Sequence, residues 1–258
     1  MLVQAFLCEL LKLKRARITW IVTAVYAFAP LMLGLMMTVL MRPALGRRMG
    51  LLTAKAELTI GAANWPTYLT LTAALFAGGL IVLAVVEAFV FGREYAEGTA
   101  KNLLTLPVDR ATLVAAKFAV SAVWFVAMAA VVYAVALAVG FAIGLPGFQG
   151  ALLVGSVRTV ATLVLQVLLA GAAGAWLAIV GRGYLAPIGV TVLLLLIGDL
   201  FSHTGWGPWV PWSIVLLSAG TAPGSAPVGA GSMAILVIFF LAVAIASYLA
   251  MDRSDNLQ

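Results

Sequence analysis

The sequence predicts an all-α fold class: a polytopic membrane protein with six transmembrane helices, an amphipathic helix ahead of them and a short cytoplasmic helix between two of them. Three observations carry that expectation. Of 258 residues, 64% are hydrophobic and only 9% charged, with a mean hydropathy of +1.15. A soluble domain is about 25% charged, so this chain cannot cover a water-facing surface. The apolar residues fall into six runs, each near or above the ~20 residues that cross ~30 Å of hydrocarbon. None of the runs alternates apolar with polar residues, which argues against a β-barrel. Helices follow, because a backbone in lipid must satisfy its own hydrogen bonds.

The elements divide as residues 1–17, an amphipathic cytoplasmic helix; 18–251, the six-helix domain; and 252–258, a cytoplasmic tail. In a helix, Val3, Phe6, Leu7, Leu10 and Leu13 share one face, with Gln4, Glu9, Lys12 and Arg15 opposite and Lys14 intruding on the stripe. Such a basic amphipathic segment before a span reads as a helix on the cytoplasmic surface, either an anchor or an elbow that transmits motion. Cys8 is the single cysteine, so no internal disulfide forms. The first apolar run is too long for a signal-peptide core and no small-residue cleavage site follows it.

The spans read as 18–40, 68–91, 111–143, 151–180, 184–201 and 232–251. With the N-terminus inside, Lys12, Lys14, Arg15, Arg17, Arg93, Lys101, Arg110, Lys117, Arg182 and Arg253 are cytoplasmic, ten of the fifteen basic residues. That bias gives N-in/C-in, and the net charge of +6 reports topology rather than nucleic-acid binding. Arg42, Arg47, Arg48 and Lys55 fall outside, on a segment able to lie as a helix on the outer leaflet. Between spans five and six, Trp206, Trp209 and Trp212 alternate with Pro208 and Pro211. Indoles favour the headgroup level, and "PWSIVLLSAG" is too short to span. The segment reads as an interfacial anchor or as a lid over an exit.

The loop between spans two and three is the most patterned part of the chain. "FGREYAEGTAKNLLTLPVDRATLVAAK", residues 91–117, carries seven charged groups between apolar runs. Gly98 reads as a hinge and Thr99 as the cap of a short helix, about 97–106. Ala100, Leu103 and Leu104 share one face of it, with Lys101, Asn102 and Thr105 on the other. Glu97 and Lys101 are spaced for an i,i+4 pair. Pro107 stops the helix, and Asp109 is placed to cap span three. A short helix with an apolar face in water implies a protein partner beneath the membrane.

These residues resemble the signature region of type-2 ABC exporter permeases. The matching positions are Glu94, Glu97, Gly98, Thr99, Leu103, Leu104, Pro107, Val108, Arg110 and Lys117. The resemblance extends to the six spans and the N-terminal segment. The size and the opening "ELLKLKRARITWI" are most similar to permeases of bacitracin-resistance and lantibiotic-immunity exporters. The resemblance implies that the short helix is a coupling helix seated in a groove of a separate ATP-binding subunit. Leu103 and Leu104 would dock there, with Glu97, Lys101 and Arg110 at the rim. It further implies two ATP-binding subunits carrying ATP and Mg, a second permease copy (homo- or heterodimer) joined through spans one and five, and export.

No cofactor or metal is expected in this chain. A P-loop needs a lysine after a glycine, and none of Lys12, Lys14, Lys55, Lys101 and Lys117 follows one. His203 is the only histidine, so no H-E-x-x-H occurs. Three charges lie inside spans. Glu87 either lines an inward vestibule or reaches the interface. Arg158 and Asp199 lie at similar depth and are expected to pair, or Arg158 snorkels to headgroups. All three are candidates for a substrate path. The small residues of 170–176, "AGAAGAW", suit close helix packing. So little buried charge suits an apolar or amphiphilic cargo, such as an antimicrobial peptide, a lipid or a drug. A stand-alone secondary transporter or channel, or a membrane scaffold, stays open, although no inverted repeat supports the former.

Overall fold

In the computed structural model the described residues are 2–48, 50, 61–98, 109–220 and 228–253. Among them the regular structure is entirely helical, and six segments are long and apolar enough to cross a membrane. The elements are α1 (Leu2–Arg15), α2 (Arg17–Met41), α3 (Pro43–Arg48), α4 (Trp65–Ala96), α5 (Arg110–Ala142), α6 (Gly150–Gly171), α7 (Ala173–Val180), α8 (Leu185–Ser202), α9 (Pro211–Ser218) and α10 (Ala230–Arg253), with a 3-10 turn at Gly207–Trp209 before α9. The spans are α2, α4, α5, α6 with α7, α8 and α10. Of the outer basic segment, α3 is described, while Lys55 lies outside the described residues.

The spans start and stop where side chains satisfy free backbone groups. Asn64 caps α4 by accepting the Thr67 amide at 3.0 Å, with Pro66 in the first turn. Asp109 caps α5 by accepting the Thr112 amide at 3.3 Å, as its position before span three predicts. α4 has 32 residues and α5 has 33, so each is about 48–50 Å long. Both exceed the ~30 Å hydrocarbon layer. Their excess carries the charges Arg93, Glu94, Glu97, Arg110 and Lys117 to one end of the bundle, here termed the basic end.

α4 and the α6–α7 span form the centre of the bundle and are buried over most of their length; α10 is mostly exposed. Phe76, Leu80 and Leu83 of α4 meet Phe125 and Val132 of α5, Leu163 and Val167 of α6 and Ile214 of α9. The small residues of 170–176 lie against α4. A Cβ on Gly171 would sit 2.6 Å from Leu83 Cδ2, so a larger residue would force Leu83 to shift. The fourth span, expected as one helix, breaks at Ala172, where the Ala175 amide turns back to the Ala172 carbonyl at 3.1 Å. Glycines at 171 and 174 weaken the ladder on both sides of the break.

Two sequence expectations need correction here. Of the three indoles, Trp206 and Trp209 are exposed, but Trp212 packs inward against Phe239 at 5.4 Å between ring centroids. The short α9 buries Ser213, Ile214 and Val215 in the bundle. α1 also sits differently from a helix that shows its polar face to water. It packs on α5, with Glu9 and Leu13 buried, while Val3, Leu7 and Leu11 are exposed. The partners that draw Glu9 inward lie on α4 and α5, out of reach of any reading of α1 alone.

Candidate functional site

α4 ends in a glycine stop. The Glu97 amide bonds the Arg93 carbonyl at 2.9 Å, and Gly98 takes φ +68°, the left-handed conformation that suits glycine. The chain re-enters description at Asp109. The short helix expected at about 97–106 therefore falls largely outside the described residues, and with it Thr99, Lys101, Leu103, Leu104, Pro107 and Val108. Its brackets, Glu94, Glu97, Gly98 and Arg110, are in place at the basic end.

Those brackets are held by ion pairs of two kinds. At the surface, Arg93 Nε donates to Glu97 Oε1 at 3.0 Å. Arg110 Nη1 donates to Asp252 Oδ1 at 2.8 Å, which ties the start of span three to the end of span six. Exposed pairs of this sort contribute little, about 0–1 kcal/mol. The other kind is buried. Lys117, 0% exposed, places Nζ 3.0 Å from both Glu94 carboxylate oxygens and 3.4 Å from Glu9 Oε2, and also donates to the Val90 carbonyl. Lys12 Nζ donates to Glu9 Oε1 at 2.6 Å and to Glu94 Oε1 at 3.3 Å.

The four groups close a ring: Glu9, Lys12, Glu94, Lys117 and back to Glu9. Opposite charges alternate around it and the sum is zero. Desolvating each ion costs several kcal/mol, and only close pairing with further hydrogen bonds offsets it. The ring supplies both. Leu13, Val90, Phe91 and Val114 close over it, and Lys117 Nζ lies 5.7 Å from the Phe91 ring centroid. Burial pulls the Lys12 ammonium down. The hydrogen bond it donates to Glu9 and the charges of Glu9 and Glu94 outweigh that, so its pKa lies above the ordinary 10.5.

Sequence reasoning placed Glu94 and Lys117 in the patterned loop but missed the ring. A signal was available. Glu9 is the only acidic residue in the first 56 positions. Lys117 interrupts an otherwise apolar helix seven residues past its start. A lone acid and a lone base in unfavourable surroundings are each explained by the other.

The structure places the three intramembrane charges apart. Glu87 does not reach the interface. It is 2% exposed, wedged between α4 and α7, and its Oε2 has no hydrogen-bond partner. A Cβ on Gly174 would sit 2.5 Å from that oxygen, so the glycine leaves room for the carboxyl group. Arg158 and Asp199 do not pair. Both are exposed, and Asp199 Oδ1 lies 3.9 Å from His203 Nε2, one turn along α8. The separation follows from the packing: α6 lies on α4, α9 and α10, whereas α8 lies on α4, α7 and α9. Span five meets span four through α7, the end far from Arg158, so equal depth brings no contact.

Among known proteins, the family model for the ABC-2 family transporter protein matches residues 5–198. That range takes in most of α1, the first four spans, the segment between Gly98 and Asp109 and nearly all of α8. The bacitracin transport permease protein BCRB of Bacillus licheniformis is 26% identical over 151 residues, covering 55% of this chain and 69% of that protein. The buried ring and the patterned segment it flanks thus lie wholly within the matched range, and the chain belongs to the ABC-2 transporter family, as a multi-pass permease of the cell membrane.

Proposed function

We propose that this chain is the transmembrane subunit of an ATP-driven exporter that moves a hydrophobic or amphiphilic substrate out of the cytoplasm or the inner leaflet. The basic end faces the cytoplasm, giving N-in/C-in, a reading supported by the excess of Lys and Arg there. Residues 97–106 form the coupling helix and dock on a separate ATP-binding subunit through Leu103 and Leu104. ATP and Mg bind that subunit. Two copies of it join this permease and a second permease, equal or related. The apolar faces of α8 and of the far half of α2 are available for that permease contact, including Leu31, Leu35, Leu193 and Leu196.

The single observation that carries the reading is the buried ring. Both helices that bracket residues 99–108 contribute to it, Glu94 from α4 and Lys117 from α5, and it fastens α1 to both. A push on the bracketed segment is therefore delivered to spans two and three and to α1 as one body, rather than being absorbed by a loose loop. A relative named for bacitracin transport supports an antimicrobial peptide as the cargo class and antibiotic resistance as the setting.

The test is co-expression with the candidate ATP-binding subunit, purification by a tag on this chain and ATPase measurement in lipid nanodiscs. The ATPase is expected to co-purify with the parent and to be lost from a Leu103→Asp, Leu104→Asp double variant that still inserts. A parent that retains no ATPase, or a double variant that retains it fully, overturns the proposal.

A further inference from the structure

α1 and α2 are joined through one residue. Ala16 is extended (φ −74°, ψ 127°) and its amide bonds the Leu13 carbonyl at 3.2 Å. Thr19 Oγ1 donates to the same carbonyl at 2.7 Å, which fixes the angle between the helices. A cavity of about 580 Å³ lies in that angle, walled on the far side by the end of α4 and the turn before α8. Gly92 makes the turn's approach possible: a Cβ there would be 2.8 Å from the Gly183 carbonyl oxygen. That closeness brings Tyr184 to the cavity's edge.

Four cations line the cavity, Lys12, Arg15, Arg17 and Arg93, against one acid, Glu97. Two of the four are already engaged. Lys12 belongs to the buried ring and Arg93 is paired with Glu97. Among the described residues, Arg15 and Arg17 meet no carboxylate, although they flank a single residue and line the same space. Guanidinium groups that line one space without a counter-charge repel each other, and a phosphate, with oxygens spaced to take two N–H donors at once, relieves that.

The rest of the wall describes the ligand's other half. Ile18 and Phe89 give the cavity an apolar side. From Ile18 an exposed stripe runs along α2 through Ile21, Val25 and Phe28, away from the charges. Trp20, 60% exposed, donates its indole N–H to the Lys14 carbonyl at 3.0 Å, and an exposed indole at a span end marks headgroup depth. The volume falls within the ~300–1,000 Å³ usual for ligand pockets. We infer that this cavity is a binding site for an anionic phospholipid of the leaflet at the basic end, with its phosphate between Arg15 and Arg17 and its acyl chains along the Ile18 stripe. Basic pockets beside spans recognise such headgroups. The site stands apart from the export reading and needs no ATP-binding subunit.

The test uses the full chain in detergent and native mass spectrometry, titrating phosphatidylglycerol against phosphatidylcholine. The parent is expected to retain phosphatidylglycerol selectively. An Arg15→Gln, Arg17→Gln double variant is expected to bind it about 30-fold more weakly, the effect of losing two basic contacts at a membrane surface. An Arg42→Gln, Arg48→Gln variant at the opposite end removes the same charge and is expected to leave binding unchanged. An Arg15→Lys, Arg17→Lys variant keeps the charge and is expected to recover most of the binding, which separates ligand loss from misfolding. Equal loss in both glutamine variants overturns the site in favour of general charge attraction. No loss in either also overturns it. Inorganic phosphate identifies the source: if it binds the parent and phosphatidylglycerol does not, the site takes free phosphate and the lipid assignment fails.

Discussion

Lys117 has no water to retreat to, so its three polar contacts decide whether the basic end holds together. Replacing it by Met leaves two buried carboxylates facing one half-exposed ammonium. Breaking a buried pair from one side costs about 3–5 kcal/mol, most of it from the charge left behind. Thermal unfolding in detergent is expected to show that loss for Lys117→Met. A Lys117→Met, Glu94→Gln variant is expected to lose less than the sum of the two single changes, because the pair is then removed together. Lys12 adds a pH dependence of defined sign. Its pKa is raised above 10.5 on folding, so its stabilising effect is full below 10.5 and is lost as pH rises through the higher folded value. The unfolding temperature is expected to fall more steeply with pH above 10.5 in the parent than in Lys12→Met. The loop residues of the ring were legible as a motif. The ring itself was not, because Glu9 and Lys117 are 108 positions apart and periodicity assigns a face without naming what covers it.

At the level of elements, α1 is the clearest case of a helix whose pattern was visible and whose placement was not. Three of the five residues of its apolar stripe, Phe6, Leu10 and Leu13, pack toward the bundle, while Val3 and Leu7 stay open. What sets the rotation is electrostatic, since Glu9 must face Lys117. Cys8 lies next to that contact, is exposed and is the single cysteine of the chain. A nitroxide attached there is expected to report a slow, ordered spectrum in the parent and a more mobile one in Glu94→Gln, as α1 loses its hold. An unchanged spectrum would mean that the apolar contacts alone dock α1. The role of Gly174 was equally hidden, because hydropathy sums over 170–176 without registering that Glu87 on another span lies against it.

For the molecule as a whole, six spans were plain in the sequence because hydrocarbon thickness imposes a length that composition cannot disguise. The ends were less plain. The second span was expected to close at residue 91, yet α4 runs on to Ala96. A hydropathy window stops where charges begin, whereas a helix continues into water wherever its charged last turns find partners. Which spans form the centre was also beyond the sequence, since lipid-facing and protein-facing helices are alike apolar. It took Gly171 and Gly174, meeting Leu83 and Glu87, to show that the second and fourth spans approach most closely.

The closed ring has an electrical consequence. An unpaired charge carried through the field of an energised membrane gains or loses about 2.3 kcal/mol for each 100 mV it crosses. Two ammonium and two carboxylate groups travelling together gain or lose nothing. The joint that fastens α1 to spans two and three therefore adds no voltage dependence of its own to the motion it transmits.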